Sequence, residues 1–70
     1  MQDKRIDFTA KVIARQLCGA NETSVYASAV IRSNGGLENS QKKWVKNGFV
    51  DIAEIRKAVA SVIDRTDRKL

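Results

Sequence analysis

The sequence predicts an α+β fold in which a three-stranded antiparallel sheet packs on one C-terminal α-helix. Its 70 residues suffice for a single small domain, residues 1–70. Apolar residues recur at helical spacing after residue 50. Before residue 50, Val, Ile, Tyr, Phe, Thr and Trp concentrate, as is typical of strands. Two Asn-Gly pairs, at 34–35 and 47–48, suit tight turns.

The three predicted strands alternate between a face that the helix covers and a face that stays open. They span residues of about 6–16, 24–33 and 40–46. The inward positions are apolar: Phe8, Val12, Val25, Ile31 and Val45. A single helix covers only one face of a sheet, so the other face remains exposed. Its basic and aromatic side chains are Lys11, Arg15, Tyr26, Arg32, Lys42, Trp44 and Lys46.

The last element is a helix predicted over residues of about 51–66. Asp51 is a suitable N-cap, and Glu54 follows three residues later, as in a capping box. The helix has one apolar stripe and therefore needs a partner surface. The stripe consists of Ile52, Ile55, Val59, Val62 and Ile63.

An all-α fold with a helix-turn-helix-like pair is the alternative. In "TAKVIARQLCG", Thr9 would cap a helix that stops at Gly19. In "NETSVYASAVIRSNG", Asn21 would cap a second helix that stops at residues 34–35. The stretch "ARQLCGANETSVY" has the Ala, Leu, Gly and Val of a helix-turn-helix, although Gly19 and Val25 fall one residue late. In this fold a helix, and not a sheet face, would enter a nucleic-acid groove.

Composition and charge favour binding over catalysis. Thirteen Lys and Arg stand against eight Asp and Glu, which gives a net charge of +5 and indicates a polyanionic partner. The chain has no histidine, no metal-ligand spacing and no phosphate-binding glycine loop, so we expect no enzyme activity, no metal and no cofactor. The single cysteine, Cys18, favours a reducing, cytoplasmic setting. No apolar run is long enough for a membrane span, so we expect no membrane partner.

The open face of the predicted sheet suits nucleic acid, with DNA favoured. Lysine and arginine neutralise phosphates and release counterions. Trp44 and Tyr26 could stack on unpaired bases at ~1–3 kcal/mol per base. A strand ribbon can also enter the major groove, where Arg and Lys recognise guanine. We therefore expect a small basic DNA-binding protein.

Two segments, "VYASAVIRSNGG" and "KKWVKNGFVDIAEIRKAV", resemble the N-terminal arm-type DNA-binding domain of phage and transposon tyrosine recombinases. The shared order is a strand carrying Tyr, a Gly turn, a basic strand, a Gly-Phe step and a helix. The resemblance implies that a sheet face contacts duplex DNA in recombination or transcription control, through Tyr26, Arg32, Lys42, Trp44 and Lys46. More loosely, the chain resembles single-strand-binding transcriptional coactivators, which end in a basic sheet, a Gly step and one long helix.

A protein partner is the alternative to DNA. An exposed tryptophan among cations also suits an interface anchor, as in a small phage- or plasmid-type regulator or inhibitor. A homodimer is compatible with both interpretations, because the predicted sheet leaves two open edges and the core is small.

Overall fold

The computed structural model describes residues 3–68, and this part of the chain is mainly helical. The described elements, in chain order, are α1 (Lys4–Leu17), α2 (Val25–Ser33), α3 (Leu37–Trp44), β1 (Val45–Lys46), β2 (Phe49–Val50) and α4 (Ile52–Arg68). The two strands form an antiparallel hairpin, with Val45 opposite Val50 and Lys46 opposite Phe49. Within residues 3–68, no helix combines the length and the apolar composition that crossing a bilayer requires.

The predicted three-stranded sheet is wrong. Residues 6–16 lie in α1, residues 25–33 form α2, and residues 40–44 belong to α3. The predicted C-terminal helix is present as α4. The two ends of the predicted domain, residues 1–2 and 69–70, lie outside the described residues.

Adjacent apolar pairs explain why helices form where strands were predicted. Val12 and Ile13 are both buried, and so are Val30 and Ile31. Neighbouring residues of a strand point to opposite faces, so a sheet covered on one side could bury only one residue of each pair. A helix turns by about 100° per residue and buries both within one wide apolar stripe.

Helix α1 begins earlier, and helix α2 begins later, than the helical alternative predicts. Asp3 caps α1, because its carboxylate accepts a hydrogen bond from the Arg5 backbone N–H at 2.9 Å. Thr9, the predicted cap, is buried within α1. Ser24 caps α2 through a 3.2 Å bond from the Ala27 N–H, so the predicted cap at Asn21 is also wrong.

Glycine ends both helices through the same hydrogen-bond pattern. Gly19 follows α1 with φ of 100°, and Gly35 follows α2 with φ of 92°. The Ala20 N–H donates to the Arg15 carbonyl at 2.9 Å, and the Gly36 N–H donates to the Ile31 carbonyl at 3.0 Å. These are Schellman closures, in which a left-handed residue satisfies the last carbonyls of a helix. The first Asn-Gly pair therefore ends a helix and does not form a hairpin turn.

The second Asn-Gly pair does form the turn of a hairpin. Asn47 and Gly48 have φ of 55° and 80°, and a type I′ turn requires positive φ at both central residues. The hairpin leads directly into α4, since the Asp51 N–H donates to the Trp44 carbonyl at 2.8 Å. The Asp51 carboxylate also accepts from the Glu54 N–H at 3.3 Å, as expected of an N-cap.

The core lies between the four helices and includes the tryptophan at the end of α3. Trp44 is only 2% exposed. The other buried apolar side chains come from α1, α2 and α4: Ala10, Val12, Ile13, Leu17, Ala27, Val30, Ile31, Ile55, Val59, Val62 and Ile63. Val45 and Val50 of the hairpin pack against this cluster. Every helix of residues 3–68 therefore contributes to one apolar cluster.

Polar contacts hold the short helix α3 in place. Ser40 is fully buried, and its hydroxyl donates to the Gly36 carbonyl at 2.9 Å and accepts from Asn34 Nδ2 at 3.2 Å. Gln41 Nε2 donates to the Leu17 carbonyl at 3.0 Å. A buried hydroxyl with two partners avoids the cost of an unsatisfied polar group. These bonds tie α3 to the ends of α1 and α2.

We expect substitution of Trp44 to destabilise the fold severely. Trp44→Ala should lower the free energy of unfolding by about 3–5 kcal/mol, which is comparable with the ~3–5 kcal/mol that such a small core supplies. Trp44→Phe should cause a smaller loss of stability than Trp44→Ala, because the phenyl ring fills part of the buried space. Urea unfolding followed by far-ultraviolet circular dichroism measures this. The control Val25→Ala, at a residue 84% exposed, should change stability by less than about 0.5 kcal/mol. A Trp44→Ala midpoint equal to wild type would contradict the core assignment.

We expect Gly35→Ala to destabilise the protein more than Gly19→Ala. Both variants place a side chain at positive φ, which costs about 1–3 kcal/mol. A Cβ at Gly35 would also lie 2.7 Å from Asn39 Nδ2, whereas a Cβ at Gly19 meets nothing within 4 Å. Asn39 Nδ2 donates to the Gly35 carbonyl at 3.0 Å, so its displacement would weaken this bond. Thermal unfolding of both variants gives the order, and equal or reversed midpoints would contradict it.

Candidate nucleic-acid interface

Trp44 does not lie on an open face, so its predicted role in stacking on bases is wrong. The indole belongs to the core and is 2% exposed. Lys43 Nζ lies 5.6 Å from the centroid of the indole ring. A cation at this distance from an aromatic ring interacts favourably with it. The positive charge around Trp44 therefore covers a buried ring and does not flank an exposed one.

Tyr26 is half-buried and engaged by an arginine of α1. Arg5 Nη1 donates to the Tyr26 hydroxyl at 3.3 Å, and the guanidinium carbon lies 5.8 Å from the ring centroid. Tyr26 also packs against the core cluster. The ring is thus held between α1 and α2. The prediction that Tyr26 shares an exposed face with Trp44 is therefore wrong.

Arg5 links α1 to the end of α4 through carboxylates. Its Nη2 lies 2.7 Å from Asp3 Oδ2 and 3.0 Å from Asp67 Oδ2. The Arg5 side-chain hydrogen bond lowers the pKa of Asp3 below its ordinary value. Asp3, and after it Asp67 and Tyr26, raise the pKa of Arg5. This cluster is structural, because its cation is already neutralised.

Three further predicted residues lie on helices. Lys11 is exposed on α1. Arg15, near the end of α1, forms an ion pair with Glu22, with 3.2 Å between Nε and Oε2. Arg32 is exposed in the last turn of α2. Because these residues belong to two helices, the single sheet face predicted for them does not exist.

Lys42 and Lys46 lie close in the chain, beside exposed residues that the sequence analysis did not select. Lys42 lies in the last turn of α3, and Lys46 follows in β1. We define the α3–hairpin surface as these two residues together with the exposed residues Lys43, Asn47 and Phe49. The surface follows directly from the chain, since β1 begins where α3 ends.

Alternation along the hairpin separates its apolar and exposed sides. Val45 and Val50 are paired across the strands and pack on the core. Lys46 and Phe49 are the next pair, so they share the opposite side. Phe49 is 78% exposed. The signal that could have revealed this pair is the second Asn-Gly turn, because a two-residue turn fixes the register of its flanking strands.

Carboxylates are scarce around this surface. Residues 25–50 contain four cations, Arg32, Lys42, Lys43 and Lys46, and one carboxylate, Glu38. Lys42 Nζ lies 3.5 Å from Glu38 Oε1, but both side chains are well exposed, and such pairs contribute little. Within residues 3–68, no carboxylate lies within 4.0 Å of the charged nitrogens of Arg32, Lys43 or Lys46.

Most of the other carboxylates form ion pairs elsewhere in the molecule, whereas Asp51 directly follows the hairpin and caps α4. Asp7 pairs with Arg56 between α1 and α4, at 3.3 Å. Along α4, Glu54 and Asp64 pair with cations three and four residues later. The acidic residues therefore concentrate on α1 and α4. The α3–hairpin surface itself carries three lysines, and Glu38 and Asp51 are the carboxylates nearest to it in the chain.

A cavity of about 190 Å³ lies between α2 and α4 and is lined by Ala29, Val62, Arg65 and Thr66. It is smaller than the roughly 300–1,000 Å³ of typical small-molecule sites. The Thr66 hydroxyl already donates to the Val62 carbonyl at 2.9 Å. In the part of the chain that the structure describes, no three His, Cys, Asp or Glu residues are grouped for a metal ion. These features do not define a catalytic pocket.

Comparison with protein-family models, curated proteins and solved structures finds no significant match to this chain. The resemblance to arm-type recombinase domains rests on residues 25–36 and 42–59. Much of both segments is helical here, and the extended part is a short hairpin.

We expect the contribution of Arg5 to stability to depend on pH. The pKa of Asp3 is lowered from its ordinary value of 3.8, so its ion pair with Arg5 stabilises the fold fully at pH values above 3.8. This stabilisation is lost as the pH falls through the lower pKa of the folded state. Arg5→Gln should thus lower the melting temperature slightly near neutral pH and less in strong acid. Thermal unfolding of both proteins across a pH series measures this, and a difference independent of pH would contradict it.

Proposed function

We propose that this protein is a small DNA-binding protein without catalytic activity that contacts phosphates through its α3–hairpin surface. The observation that carries the proposal is the concentration of Lys42, Lys43 and Lys46 within five residues at the junction of α3 and β1. Lysine is a compact cation that neutralises phosphate without needing fixed geometry.

The connection of α2 to α3 supports this proposal. A turn of three residues, 34–36, joins the two helices, as in helix-turn-helix proteins. In those proteins the second helix enters the major groove and its first turns contact base edges. The eight residues of α3 form a helix about 12 Å long, and the major groove is wide enough to admit an α-helix. The helix-turn-helix predicted from the sequence spanned residues 14–26, where a loop separates α1 from α2.

The pattern of ion pairs favours a polyanion over an apolar protein partner. Several acidic and basic side chains of α1 and α4 form ion pairs, as Asp7 does with Arg56. Unpaired cations are present on these helices too, but Lys42, Lys43 and Lys46 lie within five residues of one another. A phosphate backbone would provide the missing anions and would release condensed counterions. Asn47, at the tip of the hairpin, adds a neutral hydrogen-bonding group beside these lysines.

The test is the double substitution Lys43→Gln with Lys46→Gln, compared with Lys4→Gln with Arg65→Gln. Both pairs remove two exposed positive charges, but the second pair lies on α1 and α4. Affinity for short DNA is measured across a salt series. The slope of log K against log salt is negative, and each lost phosphate contact reduces its magnitude by about 0.9. The slope of the first variant should therefore be smaller in magnitude by about 1.8. The control variant should keep the wild-type slope.

Two results would contradict the proposal. One is wild-type protein that binds neither duplex nor single-stranded DNA at low salt. The other is an equal loss of slope in both double variants, because only general charge would then matter. A single protein partner that remains bound after nuclease treatment, together with either result, would favour the protein-binding regulator.

A further inference from the structure

We propose that Phe49 acts as an apolar wedge that inserts between neighbouring base pairs of duplex DNA from the minor groove. This inference rests on the proposed function and specifies its ligand as a duplex that the protein deforms. Proteins that bind the minor groove often insert Phe or another apolar side chain at a base step, which partly unstacks the step and bends the duplex.

The exposure of Phe49 is the first observation behind the proposal. Phe49 is 78% exposed, although its strand neighbour Val50 packs on the core. Phe8 is 59% exposed but lies on α1 beside Asp7, which pairs with Arg56. Phe49 instead lies directly across the hairpin from Lys46. Phe8 also has exposed lysines near it on α1, at positions 4 and 11, but only Phe49 combines such a cation with a two-residue hairpin turn.

The second observation is that the backbone holding Phe49 is constrained. The two-residue turn before it has positive φ at both positions, which fixes the hairpin register. Below the pair, the Asp51 N–H bonds to the Trp44 carbonyl at 2.8 Å. Trp44 is itself buried. A side chain with two χ angles on a fixed backbone loses little conformational entropy on insertion, so the wedge is preorganised.

The third observation is the position of Lys46 directly across the hairpin from Phe49. Directly opposed residues of an antiparallel pair have Cβ atoms ≈ 4.5–5.5 Å apart. The Lys46 ammonium can therefore reach a phosphate beside the step that Phe49 opens. Residues 45–46 extend the chain by about 7 Å beyond α3. With α3 in the major groove, the proposal places this hairpin at the adjacent minor groove.

The experiment uses a short duplex with a central TA step, in which 2-aminopurine replaces the adenine of that step. Pyrimidine–purine steps are the easiest to unstack. Dyes at the two ends report bending by energy transfer. The variants are Phe49→Ala, Phe49→Leu and the matched control Phe8→Ala. Circular dichroism and the emission of Trp44 verify that each variant is folded.

Wild-type protein should increase the 2-aminopurine fluorescence and bring the duplex ends closer. Phe49→Ala should abolish both effects and weaken duplex binding by about tenfold, which corresponds to ~1.4 kcal/mol. Phe49→Leu should retain most of both effects, since leucine also serves as a wedge. Phe8→Ala should behave as wild type.

Three results would overturn the wedge and leave the proposed function intact. In the first, Phe49→Ala binds the duplex and still increases the fluorescence. In the second, Phe49→Ala weakens binding to single-stranded DNA but not to the duplex, which would assign the ring to stacking on unpaired bases. In the third, Phe8→Ala loses as much as Phe49→Ala. Failure of wild-type protein to bind any DNA would overturn both proposals.

Discussion

The burial of Trp44 is the constraint on which the rest of this structure depends. The indole ends α3 and belongs to the one apolar cluster to which α1, α2 and α4 contribute. A chain of 70 residues can form only a small core, so its largest side chain accounts for a substantial share of the buried apolar area. The side chains of Ser40 and Gln41 bond to backbone carbonyls at the helix ends and keep α3 in the position that buries this ring.

Burying the indole determines which neighbouring side chains reach solvent. Lys42 and Lys43 precede it in the last turn of α3 and are exposed. The hairpin begins at the next residue, and its alternation turns Val45 inward and Lys46 outward. Because Trp44 points into the core, its neighbours Lys42, Lys43 and Lys46 point toward solvent.

The ion pairs that join different helices within residues 3–68 lie between α1 and α4. Arg5 and Arg56 connect α1 with α4 through Asp67 and Asp7. Exposed pairs of this kind contribute little to stability, but they neutralise the cations that they contain. At α3 and the hairpin, Lys43 and Lys46 have no carboxylate within 4.0 Å among residues 3–68, as is also true of Lys4 and Lys11 on α1. The cluster of three lysines at α3 and the hairpin is the physical basis for proposing a polyanionic partner there.

By itself, the sequence determined the features that depend on local chemistry. The Asp51 cap with the spacing of Ile55 and Val59 predicts α4, and the Asn47–Gly48 pair predicts a tight turn. Only the tertiary structure decided that residues 6–17 and 25–33 form helices and that Trp44 points inward. Short apolar runs fit both the two-residue period of a strand and the 3.6-residue period of a helix. The element that packs against them decides which one forms. In α3, the polar Ser40 interrupts the apolar stripe, so no pattern in the sequence marks the buried face of that helix.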